Sequence, residues 1–178
     1  MKTDQPFDSS VKSQQAPKGL LFRLVCRDDQ AAIAKLMSER NPTMDFSQLL
    51  ENADREVTRT ETDEKYKLYV AELDGVVVGF CRFYHSSGLP VQKKVYPSPE
   101  GWYGMGIMVT AKLRRQNIAR FLSENRMATL KGMGVSEFYS IVDVNNLTSM
   151  EMHQDFGYIE VSRAAGFLHL SFQGGQGC

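Results

Sequence analysis

The sequence has few cysteines and no excess of charge of either sign. Its 178 residues include 3 cysteines, and 21 Lys and Arg residues balance 21 Asp and Glu residues. Three cysteines without metal-ligand spacing argue against a zinc site and against a disulfide framework, so we predict no metal. Because positive charge is not in excess, the composition also argues against a nucleic-acid partner and against binding to an anionic membrane.

Long hydrophobic runs are missing as well. No apolar stretch approaches the roughly 20 residues of a membrane-spanning helix, and the N-terminus has no hydrophobic signal region. With thiols expected to be reduced, the predicted location is cytoplasmic. Residues 1–18 are polar and aperiodic, so we interpret them as a tail. Residues 19–178 are predicted to form one domain.

Periodicity and turn residues predict an α/β chain. Alternating apolar residues indicate strands, and apolar residues at helical spacing indicate helices. Asp74-Gly75 predicts a hairpin, and Gly132 predicts the end of a helix over about 115–131. Residues 86–100 are predicted to be a long loop. The resulting order is β-α-α-β-β-β-α-β-α-β-β, which makes a mixed sheet of about seven strands with about four helices.

The segment 109–122 leads from a strand through a basic turn into an amphipathic helix. The free N–H groups of a first helical turn, together with the helix macrodipole, favour an anion there. Arg114, Arg115 and Arg120 add guanidinium groups, which pair with phosphate bidentately. The segment is therefore a candidate phosphate site. An ordinary strand–helix connection with a solvated basic face is the alternative.

The same segment, within this strand order, resembles the GCN5-related N-acetyltransferases, the GNAT superfamily. Their acetyl-coenzyme A motif, Gln/Arg-x-x-Gly-x-Gly/Ala, follows a hydrophobic residue that ends the fourth strand. Here Val109 ends the strand, Arg114 and Ala119 match the motif, and Asn117 replaces the central glycine. Asn is the non-glycine residue that best tolerates the left-handed backbone region. We therefore expect the turn to form.

The resemblance implies the acyl-CoA N-acyltransferase fold, with a single, mostly antiparallel sheet, and acetyl-coenzyme A as co-substrate. It also implies that backbone amides of residues 116–120 hold the pyrophosphate and that the main chain of Ile107 and Val109 pairs with the pantetheine arm. On this basis the coenzyme-binding residues are predicted to be Ile107, Met108, Val109, Arg114, Arg115, Gln116, Asn117, Ile118, Ala119, Arg120, Asn146 and Ser149.

A second segment, from Asn146 to Tyr158, resembles the family's Asn-x-x-Ser/Ala…Tyr/His…Gly-Phe segment at the thiol end of the coenzyme. Ser149 and His153 are four residues apart and share a helix face. The family commonly has a Tyr at the position of His153, acting as an acid towards the departing thiolate. The resemblance implies that catalytic role for His153, and an ordinary helix histidine is the alternative. Asn146 also suits a helix cap.

The function implied by the resemblance is transfer of acetyl from acetyl-coenzyme A to a primary amine of a small molecule, by direct attack in a ternary complex. Many relatives have a glutamate base on the fourth strand. Here Trp102-Tyr-Gly-Met-Gly106 has no carboxylate, so the base is unassigned. The alternatives are a peptide or protein amine acetyltransferase, a non-catalytic acyl-CoA-binding domain and an α/β module without coenzyme.

Two further expectations concern partners. In related folds the acceptor lies opposite the coenzyme, so we expect the amine between the helical region 28–58 and the loop 86–100. The exposed edge strands at the C-terminal end make a homodimer plausible.

Overall fold

The computed structural model describes residues 15–87, 99–164 and 167–173. Most of the expected tail and residues 88–98 of the expected loop lie outside the described residues. The order of elements is the one expected from the sequence. The elements are β1 (Leu21–Leu24), α1 (Gln30–Arg40), α2 (Phe46–Thr62), β2 (Tyr66–Leu73), β3 (Val76–Ser86), β4 (Gly101–Val109), α3 (Ile118–Gly132), β5 (Glu137–Asp143), α4 (Leu147–Asp155), β6 (Ile159–Ala164) and β7 (Phe167–Gln173).

All seven strands belong to one sheet, in the order β1-β2-β3-β4-β5-β7-β6. Neighbouring strands are antiparallel except β4 and β5, which are parallel. The mixed, mostly antiparallel fold class is therefore confirmed.

The parallel pair β4–β5 is short. It runs only from Trp102 opposite Phe138 to Gly104 opposite Ser140. On the other side of β4, Phe80 lies opposite Met108 and Arg82 opposite Met105, so β4 carries one extra residue there. Such a bulge bends a strand and increases its twist. The bend coincides with the point where β4 leaves β5, and a gap opens in the middle of the sheet.

Two pairs of helices cover opposite faces of the sheet. Leu68 and Val70 of β2 pack with α1 and α2, while Tyr69 and Ala71 pack with α3, as expected for alternating side chains of a strand. The stripe of α2 that faces the sheet contains Leu49, Ala53, Val57 and Thr60, at helical spacing. This packing places α2 above one face of the gap and α3 with α4 above the other. No described helix combines the length and the apolar composition needed to span a membrane.

Candidate active site

The basic turn leads into α3 through left-handed backbone. Asn117 has φ 59° and ψ 15°, and Arg115 has φ 62°. The expectation that Asn117 adopts a glycine-like conformation is confirmed. The Asn117 side chain does not cap the helix, so it satisfies none of the N–H groups in the first turn of α3. Those donors suit an anion.

A cleft of about 910 Å³ occupies the gap between β4 and β5. The structure brings most of the expected side chains of both motifs to this one cleft. Those that line it are Ile107, Met108, Val109, Arg114, Ala119, Asn146, Ser149 and His153. Arg115, Gln116, Asn117, Ile118 and Arg120 are not among its lining residues.

Two of the residues that do not line the cleft, Ile118 and Arg120, contact other parts of the protein instead. Ile118 is buried in the core with residues of β2 and β3, so only its main chain is available to a ligand. Arg120 forms an ion pair with Glu124 at 3.0 Å, and its guanidinium lies over the Phe156 ring. In this arrangement the charge of Arg120 is directed along its own helix and towards α4.

Glu39 of α1 holds the start of the turn, a contact that the sequence did not indicate. Its carboxylate accepts hydrogen bonds from Thr110 Oγ1 at 2.7 Å and from the Ala111 backbone N–H at 2.6 Å. Arg114 Nη2 lies 3.8 Å from the same carboxylate. Desolvation alone would raise the pKa of Glu39, but these hydrogen bonds and the charge of Arg114 lower it below its ordinary value.

At the opposite side of the cleft, α4 presents the second motif. Asn146 Oδ1 accepts a hydrogen bond from Ser149 N–H at 3.2 Å, which confirms Asn146 as a helix cap. His153 Nδ1 lies 2.6 Å from the Ser149 carbonyl, and Nε2 lies 2.8 Å from Ser140 Oγ. Because a carbonyl only accepts, Nδ1 carries the proton and Nε2 accepts from the Ser140 hydroxyl.

The surroundings of His153 keep it neutral. The side chain is buried, with 5% of its surface exposed. Burial lowers the pKa of His153 and the charge of Arg126 lowers it further, although the hydrogen bond to Ser149 acts in the opposite direction. The folded protein therefore holds an uncharged imidazole at neutral pH.

This lowered pKa predicts a dependence of stability on pH. Unfolded His153 titrates near its ordinary pKa of about 6.5, so between that value and the lower folded pKa the unfolded chain binds more protons. The free energy of unfolding is then expected to fall as the pH drops below about 6.5. Between about pH 7.5 and 5.5, the Tm of the wild type should fall more steeply than that of His153→Gln. Parallel curves would contradict a neutral His153.

A second cavity, of about 600 Å³, lies on the α1–α2 face. It shares Arg40 of α1, Arg82 of β3 and Met108 of β4 with the cleft, so the two cavities adjoin at these residues. Glu56 of α2 also lines it, and Glu56 Oε1 accepts a hydrogen bond from Arg82 Nη1 at 3.0 Å. The other carboxylate oxygen, Oε2, is buried without a hydrogen-bond partner among the described residues.

Glu56 was not singled out from the sequence, which indicated only a helical region over residues 28–58. A signal was nevertheless present. The buried stripe Leu49, Ala53 and Val57 places Glu56 at the edge of the face that packs on the sheet. Within the described parts of the chain, no group of three or more His, Cys, Asp or Glu residues is arranged to hold a metal ion.

Comparison with known proteins assigns the family. The model of the acetyltransferase (GNAT) family matches residues 31–158. Among solved structures, the chain is similar to the ribosomal-protein-alanine N-acetyltransferase from Brucella melitensis, with 17% identity over 86% of this chain and 99% of that chain and a TM-score of 0.66. No curated protein matches the sequence.

Two further similar structures contain the coenzyme. The paia N-acetyltransferase from Thermoplasma acidophilum, in complex with coenzyme A, has 11% identity over 86% of this chain and 98% of that chain, with a TM-score of 0.64. The acetyltransferase yncA from Salmonella typhimurium, with acetyl-CoA, has 16% identity over 89% of this chain and 96% of that chain, with a TM-score of 0.61. The chain therefore belongs to the GNAT family of acetyltransferases, and acetyl-coenzyme A is its co-substrate.

Proposed function

We propose that the protein transfers the acetyl group of acetyl-coenzyme A to a primary amine of a small molecule, by direct attack in a ternary complex. The observation that carries this proposal is the junction of two cavities at Arg82 and Met108, one suited to the coenzyme and the other lined by the Glu56 carboxylate. A cavity of about 600 Å³ also lies within the range of ordinary small-molecule sites, about 300–1,000 Å³.

The cleft fits the coenzyme on three counts. The first turn of α3 offers N–H groups that the Asn117 side chain does not cap, which suits the pyrophosphate. β4 pairs with β5 only as far as Gly104, so the backbone groups of Ile107 and Val109 on that side can pair with the pantetheine arm. Asn146 and Ser149 line the cleft on the side of α4.

Glu56 supplies the base that β4 lacks. An amine must be neutral to attack a thioester, and its nitrogen must lose a proton as the amide forms. Glu56 Oε2 is buried and unpartnered, so it can accept a hydrogen bond and then a proton from an amine in the second cavity. Arg82 holds the other carboxylate oxygen and thereby fixes the orientation of Glu56.

The role of His153 in departure of the thiolate stays a prediction, and the geometry sharpens its test. Both ring nitrogens are already hydrogen-bonded, so His153 can protonate the sulfur only as an imidazolium, which its lowered pKa disfavours. If His153 is the acid, His153→Ala should lower kcat by about 10²-fold or more, and the loss should grow as the pH falls. His153→Tyr should restore part of the rate. Equal kcat for wild type and His153→Ala would make His153 a bystander.

The experiment that tests the function combines binding with turnover. Acetyl-coenzyme A is expected to raise the Tm of the protein, and a panel of small amines and short peptides is expected to include acceptors that release free thiol. Turnover with peptides alone would favour a protein acetyltransferase. Binding without thiol release from any acceptor would favour a non-catalytic acyl-CoA-binding domain. An unchanged Tm would contradict the proposal.

A further inference from the structure

Arg126 of α3 is a buried cation in the wall of the cleft. Only 3% of its surface is exposed, and it lines the cleft. Its guanidinium lies over Gly104, where a Cβ would stand 2.8 Å from Arg126 Cζ. Gly104 is also the last residue of β4 that pairs with β5. The guanidinium therefore occupies the corner where the two strands separate.

The hydrogen bonds of Arg126 to backbone carbonyls are few and long, and its guanidinium also interacts with the Tyr158 hydroxyl. Nη1 lies 3.5 Å from the Arg82 carbonyl and 3.4 Å from the Met105 carbonyl. Nε is buried and has no hydrogen-bond partner among the described residues. A guanidinium has five N–H donors in a fixed plane, so much of its capacity is unused.

Arg126 also has no counter-ion among the described residues. None of the ion pairs in this part of the chain includes it, and the nearby Glu56 carboxylate is already paired with Arg82, whose carbonyl Arg126 contacts. The titratable groups that interact with its charge are Cys81, His153 and Tyr158, which are all buried and neutral at pH 7. A buried, unpaired charge is unfavourable unless an anion compensates it.

We propose that Arg126 stabilises the coenzyme A thiolate as it leaves, which is an inference that rests on the proposed function. The coenzyme arm, running from the first turn of α3 past Val109 and Ile107, brings its sulfur end towards Gly104 and Arg126. As the amine nitrogen bonds to the thioester carbon, the C–S bond breaks with its electron pair on sulfur, and Glu56 takes the amine proton. The sulfur is then an anion beside a fixed cation.

Neutral His153 is a poorer partner for the leaving sulfur than Arg126. With Nδ1–H given to Ser149 and Nε2 accepting from Ser140, neither ring nitrogen has a free proton for the sulfur. Arg126 needs no change of protonation, because guanidinium stays charged at all working pH values. Its free Nε–H is a donor of the kind that a thiolate requires.

The test compares the affinities of coenzyme A and desulfo-coenzyme A by calorimetry across pH. For the wild type, the affinity for coenzyme A is expected to rise relative to that for the desulfo analogue as the pH approaches the ordinary thiol pKa of about 8.5. Arg126→Met should remove this rise and lower kcat by about 10-fold or more at unchanged KM for acetyl-coenzyme A. Arg126→Lys should keep part of both effects.

Two other variants complete the design. Gly104→Ala retains the charge but places a Cβ against the guanidinium, so it should weaken the pH effect. Lys131→Met removes an exposed cation from the same helix and should leave the pH effect intact. If Arg126→Met does not fold, the proposal is still tested by the pH dependence of the two coenzyme affinities in the wild type and in Arg126→Lys.

The outcomes separate this inference from the proposed function. If neither form of the coenzyme binds, the proposed function fails. If both bind with the same pH dependence in the wild type, only the role of Arg126 is overturned. It is also overturned if the wild type prefers succinyl-coenzyme A and Arg126→Met abolishes that preference, because Arg126 would then bind a carboxylate on the acyl group.

Discussion

Replacing Ala119 by glutamate is expected to weaken the binding of acetyl-coenzyme A by about 100-fold or more. Ala119 lies in the first turn of α3 and lines the cleft. A carboxylate there would stand beside the helix N–H groups that we propose to hold the diphosphate, so it would compete for the same donors and repel the ligand. Calorimetric titration of the folded variant with acetyl-coenzyme A measures the effect.

Ala128→Glu is the matched control, because Ala128 lies on the same helix, is exposed and does not line the cleft. Its affinity for the coenzyme should stay within about threefold of the wild type, in keeping with the small effects of exposed substitutions. Equal affinities for Ala119→Glu and the wild type would count decisively against a coenzyme site at this turn.

The second large effect is expected at Glu56. Glu56→Gln keeps the size of the side chain but removes its ability to take a proton, so kcat should fall by about 10²–10⁴-fold. The affinity for acetyl-coenzyme A should change little, because Glu56 lines the second cavity and does not line the cleft in which we propose that the coenzyme binds. Initial rates of thiol release at saturating coenzyme, with the best amine of the panel, measure the effect.

Glu51→Gln provides the control for this helix. Glu51 is exposed and lies 3.8 Å from Arg55, an ion pair of small energetic weight. This variant should turn over at the wild-type rate. If Glu56→Gln also does so, the base lies elsewhere, and the ion pair between Glu56 and Arg82 has only a structural role.

The observed ends of two helices differ from those expected from the local sequence. The third helix was expected over about 115–131, but it begins at Ile118 because Arg115 and Asn117 adopt left-handed backbone, which no α-helix contains. The helical region was expected over residues 28–58, but its second helix continues to Thr62. Thr60 is buried there and accepts a hydrogen bond from the backbone N–H of Leu68, a strand contact that extends the helix.

The sequence by itself determined the left-handed turn before α3, the helix cap of the second motif and the order of elements. These features depend on residues that are neighbours in the chain, such as Asn117 in its left-handed turn and Asn146 three residues before Ser149. Their conformations follow from local sterics and short-range hydrogen bonds, which the residue types reveal directly.

Only the tertiary structure decided which charged groups line the two cavities. Glu56 binds Arg82, which is 26 residues away in the sequence, and Arg126 contacts the carbonyl of Arg82, which is 44 residues away in the sequence. The sequence showed that β4 lacks a carboxylate, but not that α2 brings one to the same place. Burial and the pairing of charges depend on which strands lie side by side and on which helix covers each face, and a local pattern does not contain that information.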